Sequence, residues 1–329
     1  MKFQAILIDK LGGSYTAKLT QLEDVDLPQG DVTVGIAYSA LNYKDCLAIT
    51  GKGPVVRKFP MVPGVDLAGI VEASAHPKFR TGDEVILTGW GVGELHWGGL
   101  AERARVNGDW LVRKPDGLSH KRAMALGTAG LTAMLSVMTL ERLKITPDLG
   151  EILVTGASGG VGGVAIQILH RLGYRVAAAT GRVSEADYLH ALGADEIIDR
   201  KAFSAPDKPL GKERWAGAID SAGGQTLANV CATMRYGGVV AACGMADSLQ
   251  FPASVAPFIL RSVTLAGIES VYQPNATREL AWSRLAQTLD ISKLDLMTNE
   301  APLENAIGAA QDLLAGRVRG RMVIALGKS

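Results

Sequence analysis

Five glycines within eight positions, set between a short β-branched run and a helical pattern, constrain this chain more than any other feature. The segment reads Glu151-Ile-Leu-Val-Thr-Gly-Ala-Ser-Gly-Gly-Val-Gly-Gly-Val-Ala-Ile-Gln-Ile-Leu-His170. A strand that enters a helix through a turn without side chains lets backbone N–H groups approach a pyrophosphate. The helix N-terminus adds partial positive charge. The core of the pattern is Ala157-x-Gly159-x-x-Gly162, with Ala157 where GxGxxG has its first glycine. Such a match alone also fits a tight structural turn, but strand, turn and helix in this order favour a dinucleotide site. Ser158, Gly159, Gly160, Val161 and Gly162 are its candidate cofactor-binding residues.

The segments around this motif predict an α/β chain. Up to about residue 120, short strands alternate with Gly, Pro and Asp turns: Phe3–Ile8, Val32–Ser39, Gly69–Ser74, Glu84–Leu87 and Ala101–Val106. From His120–Leu140, a helical segment, the period changes. Strands Ile152–Thr155, Val176–Thr180, Glu196–Ile198, Ala218–Asp220, Val239–Ala242 and Val263–Gly267 alternate with helices that include Val164–Leu172, Ser184–Leu192 and Thr226–Met234. That alternation implies a doubly wound parallel sheet. A last strand, Met322–Leu326, is expected to return to the first domain. A chain of 329 residues also exceeds the single-core range of about 250–300 residues, so two domains are expected.

Several function classes are disfavoured. A formal net charge of +1 gives no footprint for nucleic acid. Three cysteines, Cys46, Cys231 and Cys243, form no close pair and fit a reduced cytoplasmic chain. The start Met1-Lys-Phe-Gln-Ala-Ile-Leu-Ile-Asp9 is too short and too soon charged for a signal peptide. The apolar stretch Ala125–Leu140 is broken by glycine and hydroxyl residues and reads as a buried helix, not a membrane span.

The end of the second nucleotide-domain strand decides the cofactor. An acid there accepts the ribose 2′-hydroxyl of NAD, whereas an arginine accommodates the 2′-phosphate of NADP. Here Arg175-Val-Ala-Ala-Ala-Thr180 leads into Gly181-Arg182-Val-Ser184, and the first acid is Glu185. Arg182 offers a bidentate fork, Thr180 and Ser184 offer hydroxyls, and Arg200 follows the next strand. NADPH is the expected cofactor, with Thr180, Gly181, Arg182 and Arg200 reading it.

A β-rich first domain, a nucleotide domain and a returning tail together resemble the medium-chain dehydrogenase/reductase superfamily. The motifs Gly64-Val-Asp-Leu-Ala-Gly69, Thr81-Gly-Asp-Glu-Val85, Gly98-Gly-Leu-Ala-Glu102 and Leu126-Gly-Thr-Ala-Gly-Leu-Thr132 support this. A narrower resemblance, to the NADPH-dependent acryloyl-CoA reductase (quinone oxidoreductase-like) group, rests on longer words. These are Leu41-Asn-Tyr-Lys-Asp45, Thr50-Gly-Lys-Gly53, Thr88-Gly-Trp-Gly-Val-Gly-Glu94, His96-Trp-Gly-Gly99, Gly108-Asp-Trp-Leu111, Trp215-Ala-Gly-Ala-Ile-Asp220 and Pro257-Phe-Ile-Leu-Arg261. The resemblance implies a GroES-like catalytic domain at 1–124 and 268–329 and a Rossmann domain at 125–267. It also adds Tyr43, Thr132, Gly244, Ile268 and Ser270 to the cofactor-binding set.

Zinc members of that superfamily carry a Cys where this chain has Asn42, and His-Glu where it has Val65-Asp66. Asparagine and valine do not replace thiolate and imidazole as zinc ligands, so no metal is expected. Hydride addition to a conjugated C=C then fits better than alcohol oxidation, because conjugation supplies the polarisation that a Lewis acid would otherwise provide. Asn42 and Tyr43 are the catalytic candidates, as donors to the developing enolate oxygen or, for Tyr43, to the α-carbon. Tyr43 packing against cofactor is the alternative role. Asp45 reads as an orienting residue and Cys46 as core.

The Gly89–Gly99 loop fits a substrate wall or lid and equally a rigid structural loop. Lys52, Arg57, Lys58, Arg317, Arg319 and Arg321 are candidate cations for coenzyme A phosphates or simply solvated charges. Rival readings are an NADPH:quinone oxidoreductase, a non-catalytic NADPH-binding protein and, third, a zinc alcohol dehydrogenase. The expected partners are a small acyl-CoA substrate and a second copy of the chain, joined by pairing of Val263–Gly267 edges, with no nucleic acid and no membrane.

Overall fold

Gly12 and Gly13, both at positive φ (57° and 85°), close a tight hairpin between strands Lys2–Leu11 and Ser14–Glu23 in the computed structural model of the chain. The structure describes residues 1–326. The last three residues, part of the expected tail segment 268–329, lie outside the described residues. The chain divides into two units. One comprises Met1–Thr128, Val271–Ala286 and Met297–Ser329; the other comprises Ala129–Ser270 and Gln287–Leu296.

In the first unit a seven-stranded sheet runs in the order Thr298–Pro302, Arg321–Ala325, Val32–Leu41, Asp66–Ser74, Glu84–Thr88 and Val112–Arg113, with Arg103–Val106 also pairing Val32–Leu41. Thr298–Pro302 and Arg321–Ala325 pair in parallel, and the other pairs are antiparallel. The C-terminal strand indeed returns to this sheet, with Met322 opposite Leu41. Alternate residues Val32, Val34 and Ile36 point into a core with Leu67, Leu87, Leu100 and Ile324. A short helix, α1 (Tyr43–Thr50), follows the third strand directly, so its first residue sits at the end of Val32–Leu41.

The second unit is a six-stranded parallel sheet in the order Glu196–Asp199, Val176–Thr180, Ile152–Thr155, Trp215–Asp220, Met234–Ala242 and Thr264–Gly267. Strands Ile152–Thr155 and Val176–Thr180 are buried throughout, as expected of central parallel strands covered on both faces. The strand expected at Val239–Ala242 starts five residues earlier. Met234 pairs with Trp215, and the register then shifts so that Val239 meets Gly217. The helix before it accordingly ends at Ala232.

The long apolar helix, α2, runs from His120 to Arg142 and is longer than its apolar stretch because polar residues occupy both ends. By length and composition it passes as a membrane span, but 83% of its most apolar window is buried inside the protein. It is also two helices in succession, because Gly127 (φ 48°, ψ −148°) breaks the ladder.

Candidate active site

In the second unit the parallel strands all end along one edge of the sheet, and most of the expected nucleotide residues follow those ends. Strand Ile152–Thr155 turns at Gly156 (φ 60°), and helix α3 (Gly160–Arg171) starts after Gly159. A Cβ on Gly162 would collide with the carbonyl oxygen of Gly156 and approach the Ala157 Cα at 2.7 Å, so only glycine lets helix and strand come this close. The N–H groups of the first helical turn have no acceptor within the helix and are available to an anion. Ala157 is fully buried, with its N–H on the Ala179 carbonyl at 3.1 Å, and fills the place of the missing glycine without disturbing the turn.

The next strand brings its end to the same place. Ser158 Oγ and Thr180 Oγ1 lie 2.8 Å apart, and Thr180 Oγ1 accepts from the Arg182 backbone N–H at 3.0 Å. The Arg182 guanidinium donates to the Ser158 carbonyl at 3.1 Å and lies 3.2 Å from Glu185. Arg200 crosses Gly181 so closely that a Cβ there would be 2.7 Å from its Nε. Arg200 thus lies against Gly181, the residue before Arg182. Gly244 abuts the Ser221 carbonyl, Ile268 donates its N–H to Ala242 at 2.9 Å, and Thr132 Oγ1 donates to Ser270 Oγ at 3.0 Å. The donor set fits a phosphorylated dinucleotide: a glycine-rich cradle at a helix N-terminus for a pyrophosphate, and two arginines, Arg182 and Arg200, able to take a further phosphate.

In the first unit the focus is a buried polar cluster beneath Tyr43. Asn42 precedes α1, and the Asp45 carboxylate accepts its backbone N–H at 2.8 Å. The Asn42 amide nitrogen donates to Asp66 Oδ2 at 2.8 Å and Asp45 Oδ2 at 3.2 Å, while its oxygen accepts from Arg321 at 3.1 Å. Both amide protons and the carbonyl are therefore engaged inside the protein. Asp45 Oδ1 accepts the Val65 N–H at 2.9 Å, and Asp66 accepts both the N–H (2.9 Å) and the hydroxyl of Thr128. The Gly127 break frees that N–H, so Asp66 caps the second half of α2.

This cluster holds two carboxyls and one guanidinium. Arg321 lies 3.8 Å from Asp66, and both are buried. Burial raises the Asp66 carboxyl and lowers the Arg321 guanidinium, so desolvation outweighs their mutual attraction on both sides. The guanidinium stays charged because its ordinary value is so high. Burial, and then the charge of Asp66, push Asp45 up to about 7. Cys46 is buried, and burial raises its thiol, consistent with a core residue.

Tyr43 stands outside this network. It is 51% exposed, and its hydroxyl makes no hydrogen bond within the described residues. The loop Gly89–Gly99 is tied down: Gly98 N–H reaches Val62 O and Gly99 N–H reaches Gly64 O, each at 2.7 Å, and a Cβ at Gly98 or Gly99 would strike backbone. These contacts hold the C-terminal end of the loop in place. His96 contacts the carbonyls of Trp97 (3.0 Å) and Gln29 (3.2 Å) and is structural.

A metal does not fit here. Val65 has no donor and is buried, Asn42 is fully engaged, and the Asp66 oxygens face Asn42, Thr128 and Arg321. Among the described residues no group of three or more His, Cys, Asp and Glu side chains is placed to hold a metal ion. Arg321 itself is a correction to the sequence reading. It is 4% exposed and is not a surface cation, whereas Arg317 pairs with Asp312. Thr128 and Glu185 are site residues that the sequence reading gives no role, and Arg321 has a different role from the coenzyme A cation expected of it.

Comparison with known proteins agrees with this architecture. Residues 28–116 match the alcohol dehydrogenase GroES-like domain family, and residues 160–287 match the zinc-binding dehydrogenase family. The chain is 51% identical to acrylyl-CoA reductase AcuI of Ruegeria pomeroyi, covering 98% of each. The yhdH oxidoreductase of Salmonella enterica, solved in complex with NADP, superposes with a TM-score of 0.97 at 53% identity, covering 98% of this chain and 100% of that one. The protein yhfP of Bacillus subtilis, solved with NAD bound, gives a TM-score of 0.95 at 43% identity, covering 99% and 100%.

Proposed function

The chain belongs to the medium-chain dehydrogenase/reductase superfamily, and from that premise we propose that it reduces the C=C bond of a short α,β-unsaturated acyl-CoA, acryloyl-CoA to propanoyl-CoA, with NADPH and no metal. The end-to-end match with the Ruegeria pomeroyi acrylyl-CoA reductase carries this reading. Arg182 and Arg200 beside Gly181 support NADPH over NADH.

NADPH, when bound, supplies the hydride that reaches the β-carbon of the thioester. The Gly156–Gly162 turn and α3 would hold its pyrophosphate, with Ser158, Gly159, Gly160, Val161 and Gly162 lining the approach. Thr180, Gly181, Arg182 and Arg200 would hold the 2′-phosphate, and Thr132, Gly244, Ile268 and Ser270 complete the cofactor set. As charge develops on the thioester oxygen, the Tyr43 hydroxyl is the proposed donor, either to that oxygen or as the proton source for the α-carbon. Asn42 is better cast as the residue that fixes the start of α1 and so aims Tyr43, because its amide protons are directed at carboxylates and not outward.

We also assign the protein to the cytoplasm, where its three free cysteines stay reduced. A homodimer is proposed through strand Thr264–Gly267. This strand ends the six-stranded sheet, and Val255, Ile259 and Leu260 nearby in sequence are exposed.

Steady-state assays with acryloyl-CoA, a free enal and benzoquinone, each with NADPH and NADH, test the reading. The expected result is the highest kcat/KM for acryloyl-CoA with NADPH. A larger value for benzoquinone would move the protein to the quinone oxidoreductases. Tight NADPH binding without any turnover would make it a non-catalytic binder.

A further inference from the structure

We propose that Glu185 limits how strongly this site prefers NADPH to NADH, by competing with the cofactor 2′-phosphate for Arg182; the proposal rests on the NADPH reading above. Arg182 follows the end of strand Val176–Thr180, and a single 3₁₀ turn, Val183–Glu185, folds the chain back so that Glu185 Oε2 lies 3.2 Å from Arg182 Nε. Glu185 is the first carboxylate after that strand, and it meets the guanidinium and not a ribose.

The pair is held by charge more than by geometry. Glu185 Oε2 is shielded from solvent yet accepts no well-aligned hydrogen bond, and its side chain is only 19% exposed. The guanidinium is fixed separately by its bond to the Ser158 carbonyl, so it remains in place when the carboxylate gives way. A phosphate can present two oxygens to the planar fork and form the parallel hydrogen bonds that Glu185 lacks. It must nevertheless displace the carboxylate or accept its repulsion at short range. A ribose 2′-hydroxyl carries no charge and leaves the ion pair undisturbed. The carboxylate therefore weakens NADPH binding and is silent toward NADH, so the discrimination the two arginines could reach is reduced.

Binding of NADPH and NADH to Glu185→Gln, Arg182→Ala and the double variant, followed by calorimetry and nicotinamide fluorescence, tests this. Glutamine keeps the length and an acceptor but removes the charge. For Glu185→Gln the NADPH Kd should fall about fivefold to tenfold, a partly solvated charge interaction at short range, while the NADH Kd moves less than about twofold. In the Arg182→Ala background the same substitution should lose most of its effect. A purely structural role for Glu185 would move both Kd values together and leave their ratio unchanged. An unchanged ratio, or weaker NADPH binding in Glu185→Gln, overturns the competition. Equal losses of NADPH and NADH in Arg182→Ala would instead refute the assignment of Arg182 to the 2′-phosphate, a failure distinct from that of Glu185.

Discussion

Replacing Arg321 with methionine would remove the cation that faces Asp66 while keeping much of the buried volume. The guanidinium donates to the Ala125 carbonyl at 2.8 Å and to Asn42 Oδ1 at 3.1 Å, and sits 3.8 Å from Asp66 Oδ2 in a site closed to water. Removing one partner of a buried ion pair typically costs about 3–5 kcal/mol, because the other charge is left uncompensated. With a sensitivity of roughly 2–4 °C per kcal/mol for a unit of this size, Tm should fall by about 6–20 °C. Differential scanning calorimetry of Arg321→Met, Asp66→Asn and the double variant reads this directly. The double variant should recover a large part of the loss, since Asp66→Asn neutralises the stranded carboxylate. Asn42 also loses the donor to its oxygen, so kcat should fall while NADPH affinity stays close to wild type. A single variant melting within about 2 °C of wild type, or single-variant losses that simply add, would refute the coupling argument.

Tyr43→Phe should lower acryloyl-CoA turnover at least about tenfold with NADPH affinity intact, the low end for a lost proton donor or transition-state hydrogen bond; an unchanged rate would leave Tyr43 a packing residue and water the proton source. The raised Asp45 carboxyl makes stability depend on pH in a definite sense. Folded Asp45 keeps its proton up to about 7, whereas in the unfolded chain it is lost near 3.8. Its contribution is therefore complete below pH 4 and disappears as pH rises through 7, with a slope of about 1.4 kcal/mol per pH unit between. Asp45→Asn should flatten that slope in urea titrations at pH 4–8, and an unaltered slope would assign it to another group. Chelator treatment should leave the full rate; activity lost to a chelator and restored by zinc would overturn the reading of Asn42 and Val65.

The nucleotide unit was legible because its signals are local. A β-branched run, a glycine turn and an apolar helix follow one another in sequence, and each strand end needs only its neighbours to be recognised. The cluster below Tyr43 was only half legible. Asn42 and Asp66 could be picked out because they stand where other sequences carry zinc ligands, but their actual partners come from far along the chain. Arg321 reads as one of three spaced cations, and only the pairing of Arg321–Ala325 with the inner strand Val32–Leu41 shows that it faces inward. Gly127 and Thr128 were visible as interruptions of the apolar run from Ala125 to Leu140, but the sequence does not show that the Thr128 N–H finds its acceptor in Asp66, 62 positions away. Glu185 was visible as the first acid after the strand, but its engagement with Arg182 depends on a single turn whose geometry composition does not encode.

The break at Gly127 has a consequence for how such a segment behaves outside its own fold. A hydropathy scan of His120–Arg142 flags a passable bilayer span. Hydrocarbon, however, tolerates a helix only when every backbone donor is satisfied internally, at a cost of several kcal/mol for each that is not. At Thr128 this segment presents a donor answered by a carboxylate from a different strand. Outside this fold nothing holds Gly127 at φ 48°, and a return to helical φ/ψ would hand the Thr128 N–H back to the Met124 carbonyl for about 1 kcal/mol, the cost of a glycine in a helix interior. The helix therefore has a start in its middle only where the folded chain brings Asp66 to it.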